Sequence, residues 1–267
     1  MRFHLLSRPL AAALLLAASP ASAPAQSASI DFAAAAGGFS SVDFPAGTNS
    51  TTAWTHAMGT GWSIQNQGTG PGTGVAYALQ SPSNFLTVTE AGQVTGSLVH
   101  RFSFGYTEVL ESFVNYDGGI IQYRVNGTGG WLTVGPDLVG SGDSTVGYSN
   151  TVFVSGTENP LVGLNGFAAR SPGYDDPLLD KTNFTLGEAT AAEFQAGDQI
   201  EIRFVAGFSG DDTFTSLDDP NWQIGSLSLH DASPVPEPGG VLGAAALAVG
   251  GFGLSRRLTS SRRKLAS

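Results

Sequence analysis

The chain has 267 residues, no cysteine and a formal net charge of −10, which excludes disulfides and thiolate metal sites. All 22 acidic residues, but only five of the 12 lysines and arginines (Arg101, Arg124, Arg170, Lys181 and Arg203), fall between residues 26 and 238, so that stretch carries −17. Such a surface repels nucleic acid and anionic lipid and favours divalent cations or neutral polymers.

Arg2 and Arg8 precede a short apolar run, Pro9 to Ala18, and Ala23-Pro24-Ala25 supplies a small-x-small cleavage site before Gln26. Residues 1–25 therefore read as a secretory signal peptide, too short for a stable span. A retained N-terminal anchor is the competing reading. The twin arginine of the folded-export route is missing, which points to general secretion.

From residue 26 to 233 the hydrophobic period is two rather than 3.6. Phe85–Thr89 is a short strand candidate. Leu98, His100, Phe102, Phe104 and Tyr106 then alternate with Val99, Arg101, Ser103 and Gly105. Ile121, Tyr123 and Val125 form a third face. They stop at Asn126-Gly127-Thr128-Gly129-Gly130, and Trp131–Val134 follows, which predicts a hairpin with a five-residue glycine loop. Thr151–Val154 is another short candidate. The clearest alternation sets Ile200, Ile202, Phe204, Ala206 and Phe208 against Gln199, Glu201, Arg203, Val205 and Gly207, a strand with one dry face. Trp222–Leu229 is the last. Helical signal amounts to one turn each at Ala33–Ala36 and Ala189–Phe194. Short strands separated by Gly, Asn, Asp and Pro loops predict an all-β fold, an antiparallel β-sandwich or jelly roll formed by one domain over residues 26–233.

Reaction chemistry is sparse in this pattern. His56, His100 and His230 form neither H-E-x-x-H nor any i, i+4 pair, so a zinc peptidase has no support. His100 falls on the apolar face of its strand and reads as a core histidine. No G-x-S-x-G elbow occurs. Glu108, Glu111 and Asp117 are the carboxylates that could pair for glycoside hydrolysis, which needs partners about 5–10 Å apart in space. The acidic loops suggest calcium, an ion that takes six to eight oxygens at about 2.3–2.6 Å. "SGDDTFTSLDDP" places Asp211, Asp212, Asp218 and Asp219 on one loop, and "GYDDPLLD" adds Asp175, Asp176 and Asp180. The bland alternative is that aspartate before proline or glycine is ordinary turn chemistry. Of the four tryptophans, Trp131 and Trp222 lie in strand patterns and read as core. Trp54 and Trp62 lie in glycine- and threonine-rich loops, where they would be free to stack on sugars.

The chain closes with "PVPEPGGVLGAAALAVGGFGLSRRLTSSRRKLAS". Its prolines block helix and ladder alike and leave an extended stalk. Gly239 to Leu254 then runs 16 residues without a charge, six of them glycine. As a helix this stretch would be about 24 Å long, against a bilayer core of about 30 Å. Arg256, Arg257, Arg262, Arg263 and Lys264 follow, and positive charge beside a span holds that end in the cytoplasm. A core helix with a frayed basic tail is the alternative, but five terminal cations pack poorly on anything except a membrane.

This order of parts resembles the PEP-CTERM sorting signal, here over residues 234–267. The resemblance implies processing near Pro236, Glu237 and Pro238 by an exosortase-type membrane enzyme. It also implies a Gram-negative host that makes extracellular polysaccharide, and a protein transiently anchored in the inner membrane before reaching the cell surface or matrix. A second resemblance covers roughly Trp54 to Leu229. "LVHRFSFGYTEVLESFVNYDGGIIQYRVNGTGGWLTVG", "ENPLVGLNGFAARSPGY", "FQAGDQIEIRFVAGFSGDD" and "NWQIGSLSL" look like the jelly-roll accessory domains, related in style to MAM and concanavalin-like modules, of secreted bacterial metallopeptidases. In that family such domains are non-catalytic. The chain departs from it in carrying no peptidase domain, and in reading Trp222-Gln223-Ile224-Gly225 where an aspartate pair is frequent. The expectation is a surface module that binds exopolysaccharide, with calcium as its candidate cofactor. A carbohydrate-active hydrolase is the alternative, and a purely structural matrix role a third.

Overall fold

The computed structural model describes residues 26–44, 53–65, 74–109, 112–140, 142–148, 150–151, 159–176, 180–187, 194–209 and 220–231. The expected signal peptide and sorting tail lie outside the described residues. In chain order the strands are β1 (Ser27–Asp31), β2 (Ser40–Phe44), β3 (Thr55–Ala57), β4 (Gly61–Ile64), β5 (Val75–Gln80), β6 (Leu86–Thr87), β7 (Val94–Phe102) and β8 (Tyr106–Val109). They continue with β9 (Ser112–Asn115), β10 (Gly118–Val125), β11 (Thr128–Thr133), β12 (Asn150–Thr151), β13 (Asn165–Gly166), β14 (Asp180–Leu186), β15 (Gln199–Phe208) and β16 (Trp222–Asp231). Helix among the described residues is one 3-10 turn, Pro136–Leu138.

Two six-stranded antiparallel sheets result. The first runs β14-β7-β16-β4-β3, and the second runs β11-β10-β15-β5-β2. In the first, β4 and β1 share one edge of β16 end to end: β4 pairs Trp222 to Ile224 and β1 pairs Ser226 to His230. In the second, β5 and β6 divide the edge of β15 in the same way. The all-β expectation holds, and the alternating residues explain it. Val94, Leu98, His100 and Phe102 of β7 are buried, as are Thr182, Phe184 and Leu186 of the neighbouring β14. Each strand thus turns alternate side chains to one face, as the pleat requires.

The dry faces meet in one core. Phe204 of β15 stacks on Phe39 with centroids 6.4 Å apart and meets Trp222 of β16 edge-on at 5.9 Å, which ties the two sheets together. Trp222 also meets Phe104 and Phe167 edge-on. Gly119 of β10 lies beneath it. A Cβ there would come within 2.5 Å of the indole, so only glycine permits this approach.

Three expectations are corrected. Strand β15 is buried on both faces, because Leu161 covers Val205, Ala76, Ala78 and Ile120 in a second small cluster on the outside of the sheet, and Glu201 and Arg203 beside it are buried as well. The hairpin loop has two residues rather than five. Asn126 and Gly127 have φ of +55° and +63°, the paired positive values of a type I′ turn, and β11 already begins at Thr128. Ala33–Ala36 makes a turn rather than helix, with the Ala34 and Ala35 N–H groups donating to the Asp31 carbonyl.

Candidate functional site

The proposed calcium ligands Asp211, Asp212, Asp218 and Asp219 lie outside the described residues, as do Pro236, Glu237, Pro238 and Glu111. Glu108 stands on β8 opposite Phe113. Asp117 follows β9 and is buried, its Oδ1 accepting the Ser209 N–H at 2.6 Å. Burial pushes its carboxyl up from 3.8 to about 6, against the opposing pull of hydrogen bonds from Ser209 and Gly105. Residues Asp175, Asp176 and Asp180 do not form one acidic loop. Asp180 opens β14, is buried, and accepts the Gly173 N–H at 2.9 Å. Asp175 is clamped by both terminal nitrogens of Arg170 at 2.8 and 2.6 Å. Among the described residues no group of three or more metal-ligating side chains comes together.

His100 is a core residue. The Trp222 Nε1–H donates to its Nδ1 at 3.0 Å, which puts the ring proton on Nε2, 2.8 Å from the Thr182 hydroxyl. The Thr182 hydroxyl donates in turn to the Val146 carbonyl at 2.8 Å. The ring is fully enclosed, and burial drives its pKa from 6.5 down to about 3. A base so placed has neither access nor basicity. His56 donates from Nε2 to the Phe32 carbonyl at 2.7 Å.

The tryptophans reverse one expectation. Trp54 and Trp62 are buried, at 2% and 7% exposure. Their indole N–H groups are spent on the carbonyls of Tyr77 and Ala36, so neither is free to stack on a sugar. Trp222 is core as expected. Trp131 is only half-buried and lies on the outer side of the second sheet, 4.2 Å from the Arg203 guanidinium and 4.8 Å from that of Arg124.

An open groove of about 780 Å³ crosses the outer face of the first sheet, lined chiefly by Asp31, Thr60, Arg101, Asp176, Gln223 and Ser226. A bulge makes it. The register of β16 against β7 shifts between Ile224 and Ser226, and the freed Gly225 carbonyl accepts the Phe32 N–H at 2.8 Å, where β1 ends. The bulge falls at the gap between β4 and β1, so side chains from three strands and from the two turns that hold Thr60 and Asp176 converge on the opening. Arg101 is held on the floor. Its Nε donates to Gln223 Oε1 at 2.8 Å and its Nη1 to the Tyr174 carbonyl at 2.9 Å, while its guanidinium lies 4.9 Å from the Tyr174 ring. Gln223, 8% exposed, donates in turn to the Thr60 carbonyl.

This arrangement of hydroxyls, one guanidinium, one amide and two carboxylates suits a hydroxyl-rich ligand, which both donates and accepts. Sequence reasoning named Asp176, but for calcium, and assigned none of these residues to a groove. Arg101 was signalled only as one of five cations between residues 26 and 238 and as a residue on the side of its strand opposite the apolar face. Gln223 stood out only as a departure from the accessory-domain pattern and Thr60 carried no signal, because a bulge and a strand gap bring them together. Comparison with family models, with curated proteins and with solved structures found no match to this chain.

Proposed function

We propose that this is an exported, non-catalytic surface module that holds extracellular polysaccharide in the groove of its first sheet. The observation that carries the reading is the pre-formed polar groove around Arg101 and Gln223, beside a core whose histidine is locked and neutral. The jelly-roll likeness is supported by the chain's path, which steps repeatedly between the sheets, with β14, β15 and β16 falling in the first, the second and the first. Export and sorting rest on residues 1–25 and on the Pro236-Glu237-Pro238 tail, with an exosortase-type enzyme as the processing partner. The intact mass of protein released from the cell surface is expected to lack both the apolar span 239–254 and the basic tail. A product still ending at Ser267 would refute the sorting assignment.

Calcium is proposed for the segment 211–219, which holds Asp211, Asp212, Asp218 and Asp219. A cation that binds only the folded state stabilises it by about 2.7 kcal/mol at a hundredfold excess over its dissociation constant. Millimolar calcium is therefore expected to raise the melting temperature, and Asp211→Asn with Asp212→Asn to abolish the rise. Screening alone would let magnesium at equal ionic strength do as well. An identical magnesium shift leaves these aspartates as turn residues.

A further inference from the structure

The outer face of the second sheet carries a row of polar side chains, one from each of five strands. The register aligns Thr133, Gln122, Arg203, Gln80 and Ser40 across β11, β10, β15, β5 and β2. Hydrogen bonding along the row has a direction. Arg203 Nε donates to Gln122 Oε1 at 2.8 Å, so the amide turns its Nε2 to the Thr133 hydroxyl oxygen at 3.0 Å. At this end of the row the terminal nitrogens of Arg203 and the proton of the Thr133 hydroxyl make no hydrogen bond among the described residues, nor do the Gln80 side-chain amide and the Ser40 hydroxyl further along it.

Arg203 is 9% exposed. Its guanidinium lies between the Phe44 ring at 4.8 Å and the Trp131 ring at 4.2 Å, and no carboxylate pairs with it among the described residues. Arg124, in the next row, also lies over Trp131 but has its own counter-ion, Glu201, at 2.6 Å. Two guanidinium groups therefore share one indole, and only one of them is neutralised. Burial and then the charge of Arg124 push Arg203 down to about 10. A desolvated cation without a counter-ion is costly to fold. It is the more conspicuous where five cations stand among 22 carboxylates.

We propose that this row binds a carboxylate-bearing sugar, a uronate residue of an extracellular polysaccharide. The carboxylate is received by the terminal nitrogens of Arg203 and the Thr133 hydroxyl, and the ring lies against Trp131. The terminal nitrogens of Arg203 can only donate, so a ligand group that meets them must supply acceptors. The planar guanidinium fork matches a carboxylate in a way that ammonium does not. The indole offers apolar area for the C–H face of a pyranose. The surrounding −17 disfavours densely charged polymers, which selects a chain carrying isolated uronates. This inference rests on the polysaccharide reading above and names a second subsite for it.

The test uses glucuronate and glucose as monosaccharide probes, together with a glucuronate-containing heteropolysaccharide and its carboxyl-reduced form. Glucuronate is expected to shift the Trp131 indole N–H resonance and glucose to leave it unmoved. Polymer affinity should fall at least tenfold on carboxyl reduction. Arg203→Gln should abolish the glucuronate shift, and Arg203→Lys should weaken binding at least tenfold. Should the Arg203 variants fail to fold, Thr133→Val and Trp131→Leu, at the edge of the sheet, are expected to weaken glucuronate binding at least threefold. Glucose and glucuronate binding alike, or glucuronate affinity unchanged in every one of these variants, would overturn the proposal. Equal binding of native and carboxyl-reduced polymer would retain the polysaccharide function and remove this subsite. A glucuronate response without binding of any polymer would retain the subsite and remove that function.

Discussion

Phe204→Asp is expected to abolish folding, or to lower stability by at least about 5 kcal/mol. Phe204 sits mid-strand in β15, between Ile121 of β10 and Leu79 of β5, and is fully buried. Its ring touches Phe39 and Trp222, so it joins both sheets at one point. Removing a buried phenylalanine costs about 3–5 kcal/mol. A carboxylate in its place finds no counter-ion in a wholly apolar setting, and either ionises at a further cost or takes up a proton at neutral pH. Domains of ordinary stability have only about 5–15 kcal/mol to lose. Urea unfolding, or the loss of a folded spectrum, decides the matter. A change within about 0.5 kcal/mol would show that this face is not the core.

Asp117→Asn is expected to stabilise the protein at neutral pH, by up to about 3 kcal/mol at 1.36 kcal/mol per pKa unit. Burial raises the folded Asp117 pKa from 3.8 to about 6, so between those values the folded state binds more protons than the unfolded one. Stability from this group is therefore present at low pH and is lost as pH rises through about 6. Asparagine keeps an oxygen for the Ser209 N–H and carries no charge to desolvate. His100 acts in the opposite direction. Its folded pKa of about 3 lies below the ordinary 6.5, so stability falls as pH drops below 6.5 and the unfolded chain takes up a proton. Between pH 4 and 6 the two slopes oppose each other in the natural protein. In Asp117→Asn the histidine slope stands alone, at about 1.4 kcal/mol per pH unit. Urea midpoints at pH 4, 5, 6 and 7 read this directly. Parallel curves for the two proteins would show that Asp117 ionises freely in the fold.

Sequence pattern predicts the elements whose periodicity comes from a single packed face. The inward set Ile200, Ile202, Phe204, Ala206 and Phe208 is such a case. Val205 escapes the pattern because what buries it, Leu161, lies 44 residues away in the chain. Strand β14 is missed because Asp180, Lys181, Thr182 and Asn183 read as loop. Only Phe184 and Leu186 carry the apolar period, and Thr182 earns its inward place by hydrogen bonding to His100. The Asn126-Gly127 turn was present in the sequence, and the glycines after it obscured where β11 begins. Local glycine and threonine made Trp54 and Trp62 look like loop residues, whereas partners 23 and 26 residues away hold them in the core. The groove depends on one bulge and one gap between strands. The Arg203 row depends on register across five strands. Neither is a local property of the chain.

The claim that this is a binding module rather than an enzyme is tested most directly by one paired measurement. Binding to an array of extracellular polysaccharides, with and without chelator, is recorded beside release of reducing ends from the same polymers. The proposed function predicts retention of at least one polymer, weakened by Arg101→Ala in the groove, with no new reducing ends from any of them. Release of reducing ends would instead assign a glycosidase, and failure to retain any polymer would contradict the binding function itself.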